Sequence, residues 1–247
     1  MIRRLAIASL FALTATAGAS PSSESFVAGN AAAANGDHAK AAAAFLTTLA
    51  QRGWSTNTLF DLGNAYASAG QRGLAILAYE RALVLSPRDA AVATNLAHTR
   101  EAAGLAQPEV SRTRAELSRL SSDEWAWIAI FAVILAAAAA SGRAWWPGQR
   151  GRATSIAVAG GAVAVLALVA AFVVAPARAT AVVVRAETAR IAPVSGAEEA
   201  FPAREGETVQ IEQQRADYVY VRDGDRYGWL PDRAIERVLP ERAPAHT

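Results

Sequence analysis

Apolar positions are spread unevenly along the 247 residues of this chain. Two long apolar runs occupy the middle and more polar sequence flanks them, a pattern of membrane spans rather than of one large core. The first runs from Trp125 to Trp146. Trp125, Trp127, Trp145 and Trp146 bracket it as an aromatic belt would. Ser121 and Glu124, just ahead, have the spacing of a capping box that starts a helix. The second covers 153–175, with Pro176 beyond it. At ~1.5 Å per residue each run covers a bilayer core. The connection, with 147–152 as its loop, carries Arg143, Arg150 and Arg152 and no acid, so the positive-inside rule places it in the cytoplasm and both flanks outside. No ionisable residue lies in the apolar body of either run, which argues against a pump or ion path. Ala137/Ser141 and Ala157/Gly161 are small residues four apart and offer a seam for close helix packing, although alanine is common throughout. A shorter run, Leu5 to Ala17, follows Arg3 and Arg4 and ends in Ala17-Gly18-Ala19. Residues 1–19 therefore read as an export signal cleaved after Ala19, the alternative being an uncleaved anchor.

Ahead of the spans the sequence repeats. A shift of thirty-four residues aligns Gly29 with Gly63, Asn30 with Asn64, Gly36 with Gly70, Ala41 with Ala75, Phe45 with Tyr79 and Leu49 with Leu83. Residues 23–104 then form helix pairs. Small residues at 63 and 75 let helices approach, Tyr66 and Tyr79 fill the space between pairs, and Pro87 stops a helix. Asp89 to Arg100 reads as a lone capping helix with Val92, Ala93 and Leu96 on one face. The period, with Leu59, Leu62, Gly63, Tyr66, Gly70, Ala75, Tyr79, Ala82 and Pro87, resembles the tetratricopeptide repeat. The first copy is degenerate, with Ala32 where the second has Tyr66. Two repeats and a cap are near the lower limit for such an array, so the region is expected to lean on the membrane, a second copy of itself or a partner. The resemblance implies a concave groove lined by the first helix of each repeat. Asn30, Asn64 and His98 form the ladder pointing into it, where the asparagine amides would bond the backbone of an extended peptide. The alternative is a solvated amide. Lysines that clamp a carboxylate in some members have no match here.

A polar linker, 105–124, joins the repeats to the first span. Beyond the second span the pattern shortens. Ala181-Val182-Val183-Val184, Thr208-Val209-Gln210-Ile211 and Tyr218-Val219-Tyr220-Val221 read as strands, with Asp223-Gly224-Asp225 as a hairpin turn before Gly228-Trp229-Leu230-Pro231. Over 181–239 the order of Ala192-Pro193, Glu205-Gly206-Glu207-Thr208-Val209, the Tyr218 strand and Tyr227-Gly228-Trp229-Leu230 resembles a bacterial SH3 domain. Tyr220 and Trp229 read either as barrel core or as the lining of a groove for a peptide or glycan. Residues 240–247 read as a disordered tail.

Composition narrows the chemistry. Net charge is only +2, and the arginines are interspersed with Asp and Glu, so there is no basic stripe for nucleic acid. The absence of cysteine excludes disulfides, thiol catalysis and CxxC haem attachment. His38, His98 and His246 lie apart, and no HExxH, EF-hand loop, phosphate loop or GxSxG occurs. Asp217, Asp223 and Asp225 read as turn residues rather than a calcium site. The chain is expected to be non-enzymatic, with no cofactor and no metal.

The fold class expected is a multidomain membrane protein: an all-α tetratricopeptide repeat domain, a two-helix transmembrane hairpin and an all-β SH3-like barrel. This order resembles the BatE proteins of bacterial aerotolerance operons. That resemblance implies a non-catalytic scaffold of the inner membrane with both soluble domains periplasmic, and partners among membrane proteins with von Willebrand factor A domains, in operons that usually encode a MoxR-type ATPase. The competing expectation is a peptidoglycan-binding module or an envelope sensor that uses the SH3-like domain.

Overall fold

The computed structural model describes residues 21–107, 116–117, 120–145, 147–174 and 179–239. The export signal and the C-terminal tail expected from the sequence lie outside the described residues. Five helices come first: α1 (Pro21–Ala34), α2 (His38–Arg52), α3 (Thr56–Ser68), α4 (Arg72–Leu85) and α5 (Ala90–Ala102). Two long helices follow, α6 (Ser122–Trp145) and α7 (Arg150–Val174), joined by a 3-10 turn at Pro147–Gln149. Seven strands complete the chain: β1 (Thr180–Val183), β2 (Glu187–Arg190), β3 (Glu199–Ala203), β4 (Thr208–Arg215), β5 (Tyr218–Asp223), β6 (Arg226–Pro231) and β7 (Ile235–Arg237).

The period of thirty-four has a steric cause. A Cβ on Gly29 would lie 2.6 Å from the Phe45 ring, and one on Gly63 would lie 2.4 Å from the Tyr79 ring. Each glycine thus lets an aromatic ring of the next helix lie on bare backbone. Gly36, Gly70 and Gly104 carry the same left-handed φ, 78°, 77° and 68°. Each ends a helix with the same pair of bonds. Gly36 N–H donates to Ala33 and Asp37 N–H to Ala32, and the pattern recurs at Gly70/Gln71 and Gly104/Leu105. So α1–α2 and α3–α4 are equivalent pairs, and α5 is the first helix of a third unit. On α5 the buried residues are Val92, Leu96, Thr99 and Arg100. Ala93, expected on that face, is exposed.

Helices α6 and α7 are long and apolar enough to cross a membrane. The capping box forms: Ser121 Oγ accepts from Glu124 N–H at 3.2 Å, and Glu124 Oε2 accepts from Ser121 N–H at 2.8 Å. The seam between the two helices is not the one expected. Ala137 and Ser141 are exposed, and Gly161 has open space where a Cβ would be. The buried small residues are Ala129 and Ala132 on α6, and Gly160, Ala164, Ala167 and Ala170 on α7. A Cβ on Gly160 would lie 3.0 Å from the Ala132 carbonyl, and that close approach sets the rotation of both helices.

The strands form one antiparallel sheet in the order β3-β2-β6-β5-β4-β1-β7. Ala181, Val183, Val209, Val219, Val221 and Leu230 are fully buried in its core. Strand β1 has two buried faces. Ala181 and Val183 pack in the sheet core, whereas Val182 between them packs with Leu59, Ile76, Leu77 and Tyr79 of the helices. The sheet is therefore docked on α4 and shares a core with the helices. Such a contact requires both regions on one side of a membrane, which an even number of crossings provides.

Candidate functional site

Two surfaces outside α6 and α7 carry four of the five side chains singled out by the sequence. The first is a groove of about 280 Å³ among α1, α2 and α3, lined by Asn30, His38, Asp61, Asn64 and Ser68, among others. Asn30 is exposed there. Asn64 is half-buried, and its Oδ1 accepts twice, from the Tyr79 hydroxyl and from Asn95 Nδ2, both at 2.8 Å. The carbonyl end of Asn64 thus ties α3 to α4 and α5, and only its Nδ2 donors are left for a ligand. Burial pushes the Asp61 carboxyl above its ordinary value. His98, the third rung of the ladder, is exposed on α5 and is not among the groove-lining residues. The period places these three residues at equivalent helix positions, but the structure brings only the first two to one groove.

The second surface is on the outer face of β5 and β6. Tyr220 and Trp229 are directly opposed across the two strands, with ring centroids 5.1 Å apart. Tyr227 stacks on Tyr220 at 6.2 Å and is 49% exposed. Neither Tyr220 nor Trp229 belongs to the sheet core. Residues of opposite parity, Val219, Val221 and Leu230, fill it. Gly228 explains the packing beneath, because a Cβ there would lie 2.9 Å from the Ala189 methyl. Of the two readings open in the sequence, barrel core or groove lining, the sheet core excludes the pair, which is half-buried on the outer face. Tyr227 joins them and was missed as a site residue, although the period of two from Trp229 would have placed it on the same face.

Beside these rings Arg222, opposite Tyr227 in the ladder, pairs with Glu212 at 2.9 Å. Arg226 is on the other face, where it pairs with Asp223 and stacks 4.8 Å over Phe201. Arg190 Nη1 donates to the Ala197 carbonyl at 2.9 Å. The patch therefore offers aromatic faces flanked by two guanidinium groups, one paired with a carboxylate and one bonded to a backbone carbonyl. Among the described residues, no three His, Asp or Glu side chains come together as a metal site. No family model, no curated protein and no solved structure matches this chain.

Proposed function

We propose that the chain is a non-catalytic scaffold anchored in the bacterial inner membrane that captures protein partners outside the cytoplasm. The observation that carries the reading is the half-exposed row of Tyr220, Tyr227 and Trp229 on a sheet whose own core is complete without them. Aromatic residues on a rigid element supply the anchors of protein interfaces, since they bury large area at little conformational cost. In this reading the helical region is a tetratricopeptide array and the sheet a bacterial SH3 domain. Repeated Gly–aromatic contacts thirty-four residues apart support the first, and the Asp223 hairpin leading into Trp229 supports the second. The groove at Asn30 and Asn64 is a second capture surface. The likeness to BatE proteins makes membrane proteins with von Willebrand factor A domains the first partners to look for.

The test is affinity purification of the tagged full-length chain from mild detergent, with identification of co-purified proteins by mass spectrometry. Wild type should retain defined membrane or periplasmic proteins, and Trp229→Ala together with Tyr227→Ala should lose them. Equal recovery by both would remove the aromatic row as the capture surface. Three adjacent aromatic faces also suit stacking on sugar rings, so pelleting with purified sacculi discriminates the peptidoglycan reading. Orientation is tested separately. A reporter active only in the periplasm should work when fused after Glu101 or Arg237, and one inserted at 147–150 should report the cytoplasm. Cytoplasmic signals from both end fusions would invert the topology.

A further inference from the structure

We infer that the sheet is the built-in cap of the helical array: it covers the face of α4 that, on α2, is covered by the next second helix, and it closes that end of the array to any partner. The evidence begins with the repeat itself. Gly104 ends α5 as Gly36 ends α1 and Gly70 ends α3, so a second helix is due at Leu105. Residues thirty-four apart then show what covers α4 on that side. Ala42 on α2 packs in one cluster with Ala78 of the next second helix, α4. Its equivalent on α4, Ile76, packs instead in a cluster with Leu105, Val182 and Val238. Gly206, at the turn between β3 and β4, lies against it. A Cβ there would come 2.6 Å from Ile76 and 2.8 Å from Leu105.

Polar contacts hold the cap in both directions. Helices α2, α3 and α5 have side-chain caps of their own, from Asp37, Ser55 and Asp89. Helix α4 has none at Gln71. Its cap comes from the sheet, where Glu205 Oε1 accepts from Gly73 N–H at 2.7 Å. A carboxylate at this end satisfies an orphan donor and suits the helix dipole. Arg81 stacks 5.2 Å over Trp54 and donates to the Arg237 carbonyl at 2.8 Å and the Val238 carbonyl at 3.2 Å. Arg100, 5% exposed, bridges Glu80 and Thr208 Oγ1. Arg204 reaches back to the Gly104 carbonyl at 3.3 Å. Every one of these pairs joins residues a hundred or more positions apart, save the Arg100–Glu80 and Arg81–Trp54 contacts that orient the two arginines.

Gly73 gives a test whose sign separates a docked sheet from a free one. In an uncovered helix, Gly73→Ala stabilises, because alanine is the better helix former. In the docked chain the new methyl meets Glu205 Cγ at 2.7 Å and the Val183 carbonyl at 2.9 Å. That carbonyl is held by Gly206 N–H at 2.7 Å and does not swing aside freely. The full-length chain carrying Gly73→Ala, in detergent micelles, should therefore melt several degrees below wild type. Hydrogen exchange should quicken in α4 and β1 together. A midpoint equal to or above wild type overturns the inference. Should that variant fail to fold, Arg81→Lys replaces it. An ammonium cannot stack on Trp54 and donate to two carbonyls at once, so amide exchange over 235–238 should rise at least tenfold while α1 and α2 stay protected. Unchanged exchange there overturns the inference as surely.

Discussion

Tyr79→Ala is expected to cost the soluble region about 3–5 kcal/mol, the usual range for deleting a buried aromatic ring. Tyr79 is 1% exposed, with its ring against the backbone of Gly63 and 6.1 Å from the Phe60 ring. Because Gly63 has no side chain, the backbone directly beneath the ring offers nothing to fill the space left behind. Two further variants separate the ring from its hydroxyl. Tyr79→Phe removes only the bond to Asn64 Oδ1, which keeps Asn95 as a donor, so about 1 kcal/mol is expected. Asn64→Ala orphans both donors and should cost more than Tyr79→Phe. Burial pushes the Tyr79 hydroxyl up to about 12. A phenol held protonated in the fold contributes stability in full below its unfolded value, about 10, and loses it as pH rises from there through about 12. Denaturant titrations at neutral and alkaline pH should show this extra loss in wild type and not in Tyr79→Phe. If Tyr79→Ala unfolds at the wild-type midpoint, the shared core of helices and sheet is wrong.

Adjacent residues on β6 should respond in opposite ways. Leu230 is fully buried in the sheet core, and Leu230→Ala should cost about 2–5 kcal/mol. Trp229, on the other face, loses with its ring mainly the aromatic pair with Tyr220, worth about 0.5–1.5 kcal/mol. Its melting temperature should stay near wild type. Binding should fall instead, by about 2 kcal/mol or more, as for an interface anchor. The paired measurements are thermal unfolding of each variant and titration of the partner recovered by affinity purification. A Trp229→Ala chain that melts as early as Leu230→Ala would return the indole to the core and remove the capture surface.

What could be read in the sequence followed from constraints that residue type reveals. Gly29 and Gly63 recur because an aromatic ring must lie on their backbone, and Gly36 and Gly70 recur because a left-handed turn demands them. The capping box at Ser121 and Glu124 is likewise a local pattern with one geometric meaning. The facing of Tyr218-Val219-Tyr220-Val221 was ambiguous because both parities are apolar, and only the packed sheet shows that the valines go in. Strands β2, β3 and β7 went unread because Glu187–Arg190, Glu199–Ala203 and Ile235–Arg237 show no clean alternation. In the alanine-rich spans every face offers small residues, so the seam is set by one glycine against one carbonyl. His98 shares the helix position of Asn30 and Asn64 without lining the pocket they line, because the period fixes helix position and does not fix which helices line a pocket. The docking of the sheet was least legible of all. Arg81, Arg100 and Glu205 read as ordinary surface charges until residues far apart in sequence are brought together.

The shared core also sets an order of assembly. The chain leaves the helices after 107, makes two long apolar helices and returns at 179 to lie on the surface it left. During synthesis α1 to α5 emerge first, with Ile76 and the Gly73 end of α4 uncovered. They must wait until both long apolar helices and the strands up to Arg237 have been made. A pause, a truncation or a missing sheet leaves that apolar patch bare, and proteases and chaperones act on such surfaces. Correct insertion, by contrast, tethers the sheet close to its seat and shortens the search. With α6 and α7 crossing a membrane as proposed, docking would also proofread topology, because a chain with one helix inverted could not complete its core.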